Sequence, residues 1–294
     1  MKIDSVLETA KKNFDRRKFL RASGVAGLGV AATALVAGSA APMLAQGLPS
    51  TSNSGGVQDP VTKDTPAEIF TAALIAEDLA TTFYYNGLVG PVIQDPALAG
   101  PGGTATHVKS SGNLGDVDYL RAALSEEITH ADLFRALLGI SGPASDPVQT
   151  FYFPTGVFDT LVPFIATLEA LENAFISAYL NAIVEFARMS GVAGKSSDFT
   201  RAELSYYAEV AAAILGIEPE HRVLGRVISN SNPANNRNYE LVDRIYSVYN
   251  GSHSAVVALT PFLTPSTGPA YTFADAIANA PSVELRAGGG LPPN

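Results

Sequence analysis

The chain has 294 residues, a formal net charge of −9, no cysteine and no tryptophan, with 47% apolar and 16% charged residues. That is ample for a large buried core, arranged as one domain with long loops or a domain plus an appendage once a leader is removed. The acidic balance leaves no basic face to neutralise phosphates, which argues against a nucleic-acid partner; the lack of cysteine excludes disulfides, thiolate metal sites and cysteine nucleophiles.

Residues 1–45 have the character of a targeting segment. Asp15-Arg16-Arg17-Lys18-Phe19-Leu20-Arg21 resembles the twin-arginine export signal, and a mild Ala/Gly/Val run follows from Ala22 to Ala41. Four glycines and two serines make that run a poor permanent span. Cleavage after Ala45 or after Ala40 is open, and an uncleaved membrane anchor is the alternative. The expected destination is the periplasm or the exterior. This route carries folded proteins, often with a cofactor in place. Loading in the cytoplasm would let Mn or Fe bind before Cu or Zn could compete. Residues 46–64, rich in Ser, Gly, Asn and Pro, read as a flexible linker.

Residues 65–230 carry four helical patterns. Helix A opens with Thr65-Pro66-Ala67-Glu68, a capping box with proline at the first helical position. Its inward stripe is Phe70, Leu74, Glu77, Thr81 and Tyr84, and Asn86-Gly87 should end it. Glu77 sits mid-helix on that apolar face. Residues 87–115 form a long Gly/Pro-rich loop, in which His107 reads as a solvated residue. Helix B runs from about Asp116 to Leu138. Residues 139–158, with Phe151-Tyr152-Phe153-Pro154, are apolar enough to cross the bundle. Helix C spans about Thr160 to Met189, with Pro163 tolerated only in its first turn. Its stripe is Leu168, Glu172, Phe175, Tyr179 and Phe186; Glu169 competes one turn back on a less continuous face. A short linker over 190–199 makes helices C and D neighbours. Thr200-Arg201-Ala202-Glu203 is a second capping box and opens helix D, where Tyr207, Val210, Ile214, Glu218 and His221 share a face.

Residues 231–294 read as an appendage packed on the bundle. Residues 231–238 are a loop, Tyr239 to Tyr249 resembles a short amphipathic helix, and the proline-rich tail beyond Gly251 is irregular, with His253 at the surface. No repeat, phosphate loop or catalytic triad is visible.

The chemistry gathers in Glu127-Ile128-Thr129-His130. Glu127 and His130 are three residues apart, which puts them on one helix face. Leu120, Leu124, Ala131, Phe134 and Leu138 lie on that face too, so it points into a core. An unpartnered buried carboxylate is costly, and a metal ion would remove the cost, since carboxylate and imidazole are good ligands. The spacing recurs in Glu218-Pro219-Glu220-His221, using two of only four histidines. Two Glu-x-x-His motifs, each one helix after an inward-facing glutamate, match the ligand pattern of di-metal four-helix proteins. Pro219 leaves two readings of the second motif open. Either the helix continues with a kink, or Gly216 ends it and Pro219 starts a short new helix whose first turn favours Glu218 and Glu220.

The chain resembles the exported ferritin-like domain proteins that include the bacterial and plant desiccation-related proteins. The similarity covers about residues 66 to 262. It rests on Ala72-Ala73-Leu74-Ile75-Ala76-Glu77 with Phe83-Tyr84, on Glu127-Ile128-Thr129-His130, on Leu171-Glu172 with Tyr179, and on Ile214-Leu215-Gly216-Ile217-Glu218-Pro219-Glu220-His221. It implies an all-α, ferritin-like four-helix bundle with a long crossover, a long A–B loop and a helical or irregular C-terminal appendage. It further implies the metal ligands Glu77, Glu127, His130, Glu172, Glu218 and His221. The family pattern departs at Pro219, where a helix former is expected.

Two Fe or Mn ions are the expected cofactors. Glu127 and Glu218 would bridge them, Glu77 and Glu172 would be terminal, and His130 and His221 would each complete one ion. The corresponding function is redox chemistry on O2, peroxide or Fe(II), of ferroxidase or catalase type, in stress protection. Tyr84 and Tyr179 either tune the site by hydrogen bonds or simply pack the core. The alternative is a non-enzymatic stress or binding protein with a structural or vestigial metal. A homo-oligomer and association with the cell envelope both fit, whereas the long A–B loop and the appendage disfavour an iron-storage shell.

Overall fold

The protein, seen in a computed structural model, is described over residues 64–96, 98, 100, 102–104, 114–192, 199–233, 247–251, 254–265 and 268–284. The leader, all of the linker before Asp64, and both His107 and His253 lie outside the described residues. Four long helices make the body: α1 (Pro66–Val89), α2 (Leu114–Leu138), α3 (Leu161–Val192) and α4 (Arg201–Ile228). α1 packs chiefly on α2, and α3 on α4. The result is an all-α four-helix bundle, as the helical patterning expects.

Both capping boxes form. Thr65 and Thr200 accept from the backbone N–H of Glu68 and Glu203, and each glutamate reaches back to the cap. These bonds satisfy donors that a helix start otherwise leaves open. The other end of α1 differs from expectation. Asn86-Gly87 does not stop the helix, which runs on to Val89 with Gly90 as its C-cap. Gly87 is needed for closeness: a β-carbon there would lie 2.4 Å from Cε2 of Phe164 on α3.

α4 passes unbroken through Pro219. Gly216 therefore does not end it, and the new-helix reading of the second motif is not what forms. The stretch from Gly216 to Gly225 stays helical although Pro219 cannot donate to the carbonyl of Leu215. Ala211, and not Val210, takes the fully buried place in the stripe.

The crossover between α2 and α3 contains a 3-10 turn at Pro143–Ser145 and a short strand, β1 (Thr150–Tyr152). Phe151 and Phe153 are fully buried. The appendage has more regular structure than its prolines suggest. Ser254 caps α5 (Ala255–Leu263), β2 (Ala270–Thr272) pairs antiparallel with β1, and α6 is Phe273–Glu284. The register sets Phe151 opposite Tyr271. In the segment expected to be a helix up to Tyr249, Ser247 to Tyr249 form a bridge and bends, and the rest lies outside the described residues. The described part of the tail packs because it is apolar: Val256, Leu259, Phe262 and Phe273 are buried on the bundle. With α5 and α6 covering it, α1 is buried nearly all round and not along one stripe.

Candidate metal centre

Six side chains from four helices meet in the middle of the bundle. α1 contributes Glu77, α2 Glu127 and His130, α3 Glu172, and α4 Glu218 and His221. None is more than 6% exposed. Each sits on the buried face of its helix at the spacing the sequence assigns, so helical periodicity alone aims all six inward. Glu169, the competitor on α3, instead lies part-exposed, 3.8 Å from Arg226.

The ligand atoms form two interlocked groups, Glu77–Glu127–His130–Glu218 and Glu127–Glu172–Glu218–His221. Within each, the four atoms lie within 4.8 Å of one another. Glu127 and Glu218 belong to both. His130 Nδ1 is 3.3 Å from Glu77, 3.6 Å from Glu127 and 3.8 Å from Glu218. His221 Nδ1 is 3.0 Å from Glu127 and 3.8 Å from both Glu172 and Glu218.

The donors are largely unsatisfied by the protein. Both oxygens of Glu127 and of Glu218, one of Glu172, and Nδ1 of His221 have no hydrogen-bond partner. Leaving so many buried acceptors bare costs roughly 1–3 kcal/mol for each group. An all-oxygen-and-imidazole donor set around those bare atoms fits a hard or borderline divalent ion, and the absence of sulfur disfavours soft ones.

The electrostatics agree. Burial raises the carboxyls of Glu127 and, further, Glu172 above the usual range. For Glu127, the nearby charge of Glu77 adds to it. Burial alone would hold the imidazoles neutral. The charge of Glu77, with the Glu127 carboxylate close by, nevertheless lifts His130 to about 11, and Glu127 and Glu126 raise His221. Without metal, the cluster therefore keeps protons that a cation would displace.

Two tyrosines brace the cluster in a crossed pattern. Tyr84 of α1 donates to Glu172 of α3 at 2.5 Å, while Tyr179 of α3 donates to Glu77 of α1. On each helix the tyrosine stands seven residues after the glutamate, so the two pairs mirror one another. Both phenols are pushed up by burial first and by the carboxylates next, and remain donors. Tyr84 also sets its ring edge-on to His221, 5.7 Å between centroids.

One participant is absent from the six. Glu126, part-exposed at the rim, lies 2.8 Å from His221 Nε2. That contact takes up the outer nitrogen and turns Nδ1 towards the cluster. The available signal was chemical: a ligating imidazole needs a partner for its other nitrogen, and Glu126 adjoins the motif.

A family model described as a ferritin-like domain matches residues 65–231, a span that contains all six residues. Neither a curated protein nor a solved structure matches the chain.

Proposed function

The chain belongs to the ferritin-like domain family, and from that premise we propose that its buried cluster holds two Fe or Mn ions for redox chemistry on O2, peroxide or Fe(II). The observation carrying this reading is the pair of ligand groups that share Glu127 and Glu218. Those two would bridge; Glu77 with His130 would complete one ion, and Glu172 with His221 the other. Four carboxylates carry four negative charges, which two divalent ions neutralise. Bound there, the ions would supply electrons to, or take them from, a small oxygen species.

The chain's own groups do the rest. Tyr179 and Tyr84 occupy one oxygen each of Glu77 and Glu172, fixing those rotamers. Glu126 orients His221. Phe134, Leu168 and Phe175, one turn from His130 and Glu172 on the same helix faces, are buried and would keep water from the cluster.

The Arg16-Arg17 segment and the weakly apolar run behind it support export by the twin-arginine route to the periplasm or the exterior. The resemblance to desiccation-related proteins supports a part in stress protection.

Loading the mature protein with Fe(II) or Mn(II) and following O2 uptake and H2O2 loss tests this function. Turnover that disappears in Glu127→Ala/His130→Ala supports it. Stoichiometric metal with no turnover of O2, H2O2 or Fe(II) would show instead a structural metal in a non-enzymatic protein.

A further inference from the structure

Beside the cluster lies a cavity between α1, α3 and α4, closed on its outer side by the appendage through Val248 and Leu259. Its free volume is about 30 Å³. Small side chains create it: Ala73 and Ala76 on α1 and Ala178 and Ala182 on α3 stand where neighbouring core positions carry phenylalanine. We propose that this cavity holds dioxygen for the metal centre. The inference rests on the metal reading above and selects O2 among the oxygen species that reading allows.

Three observations carry it. The first is chemistry. The walls are hydrocarbon, and an ordered water needs two to four polar partners, so a cavity of this kind stays dry and takes apolar guests. Peroxide and Fe(II) would lose their hydration there with nothing in exchange. The second is size. The space accepts a molecule of two heavy atoms and is too small for an acyl chain.

The third is position. Tyr179 is part of the cavity wall, and its hydroxyl donates to Glu77. Ala76 also lines the cavity and directly precedes Glu77. A guest is thus one side chain from the cluster. Ala174, Ala178 and Val210 are only half-buried wall residues, which puts the shortest way in on the α3–α4 side. Holding a reactant at that distance raises its effective concentration without any new polar contact.

Xenon reads the cavity without metal. Crystals of the metal-free mature chain under xenon pressure should show an atom beside Ala182, and Ala182→Leu should remove it. In Fe(II)-loaded protein the same substitution should slow O2 uptake about tenfold at limiting O2, with unchanged metal content, because the held pool is lost. Ala178→Leu gives a second filling variant if the first does not fold. No xenon in the wild-type cavity, ordered water filling it, or O2 uptake untouched by filling would each overturn the proposal. A protein that takes up no metal is recognised by metal analysis, which sinks the metal reading and the delivery role while leaving xenon occupancy to be read on its own.

Discussion

His221 can present Nδ1 to the cluster only because Nε2 is engaged elsewhere. Glu126 provides that engagement at 2.8 Å, from the helix turn that also supplies Glu127. Partners of this kind contribute about 10–100-fold to metal affinity. Glu126→Ala should weaken metal binding by at least about tenfold in a chelator competition titration while leaving helix content by circular dichroism unchanged. The six cluster residues were legible because each advertises itself locally: a carboxylate or imidazole on an apolar stripe, at a three-residue spacing in two helices. Glu126 was not, and for Tyr84 and Tyr179, both placed on inward stripes, hydrogen bonding to the site and plain core packing stayed open until their partners were seen. Their hydrogen bonds join residues 95, 88 and 102 positions apart, and nothing in a linear stretch says which glutamate a tyrosine will meet.

Among the elements, α1 departs furthest from its sequence reading. A stripe of five inward residues predicts one dry face, yet Asp78 on another face is fully buried too. It is bonded by Arg135 of α2 at 2.7 Å, and Arg135 also binds Asp146 in the crossover and lies 5.3 Å from the Phe273 ring. This group ties α1, α2, the crossover and α6 together. Arg135→Leu leaves two buried acids without their cation and should cost about 3 kcal/mol in urea unfolding. Gly87 shows the opposite case, where sequence suggests a stop and packing requires a gap. Gly87→Ala would gain helix propensity but drive a methyl into Phe164, so a net loss of about 2 kcal/mol is expected from the shift of the urea midpoint. Pro219 was ambiguous for a physical reason: its missing N–H removes one hydrogen bond, and whether the burial of Glu218, His221 and Arg222 keeps the helix whole depends on partners that lie on other helices.

At the scale of the whole molecule, the start of the described chain is tied to the beginning of the described appendage. Asp64, read from composition as the last residue of a flexible linker, is buried and accepts from the backbone N–H groups of Val248, Tyr249 and Asn250. Glu185 of α3 accepts from Val248 as well. Burial, then the charge of Asp64, pushes the Glu185 carboxyl up to about 8. An acid whose folded value lies above its ordinary value of 4.5 binds its proton more tightly when folded. Its contribution is therefore most favourable at low pH and is lost as pH rises from 4.5 through about 8. Thermal unfolding of Glu185→Gln should lose that decline, so that the variant gains on the wild type between pH 5 and pH 8. The bundle itself was readable from periodicity and capping, but the order of the appendage was not. A three-residue strand and a proline-containing helix become stable only against surfaces distant in the chain: β2 on β1, and α5 on α1, α3 and β1.

The most direct test of the account is metal content. The mature protein, purified after loading with Fe(II) or Mn(II), should hold two ions per chain, and Glu127→Ala/His130→Ala should hold none. A wild-type chain free of metal, or a double variant with undiminished content, would contradict it.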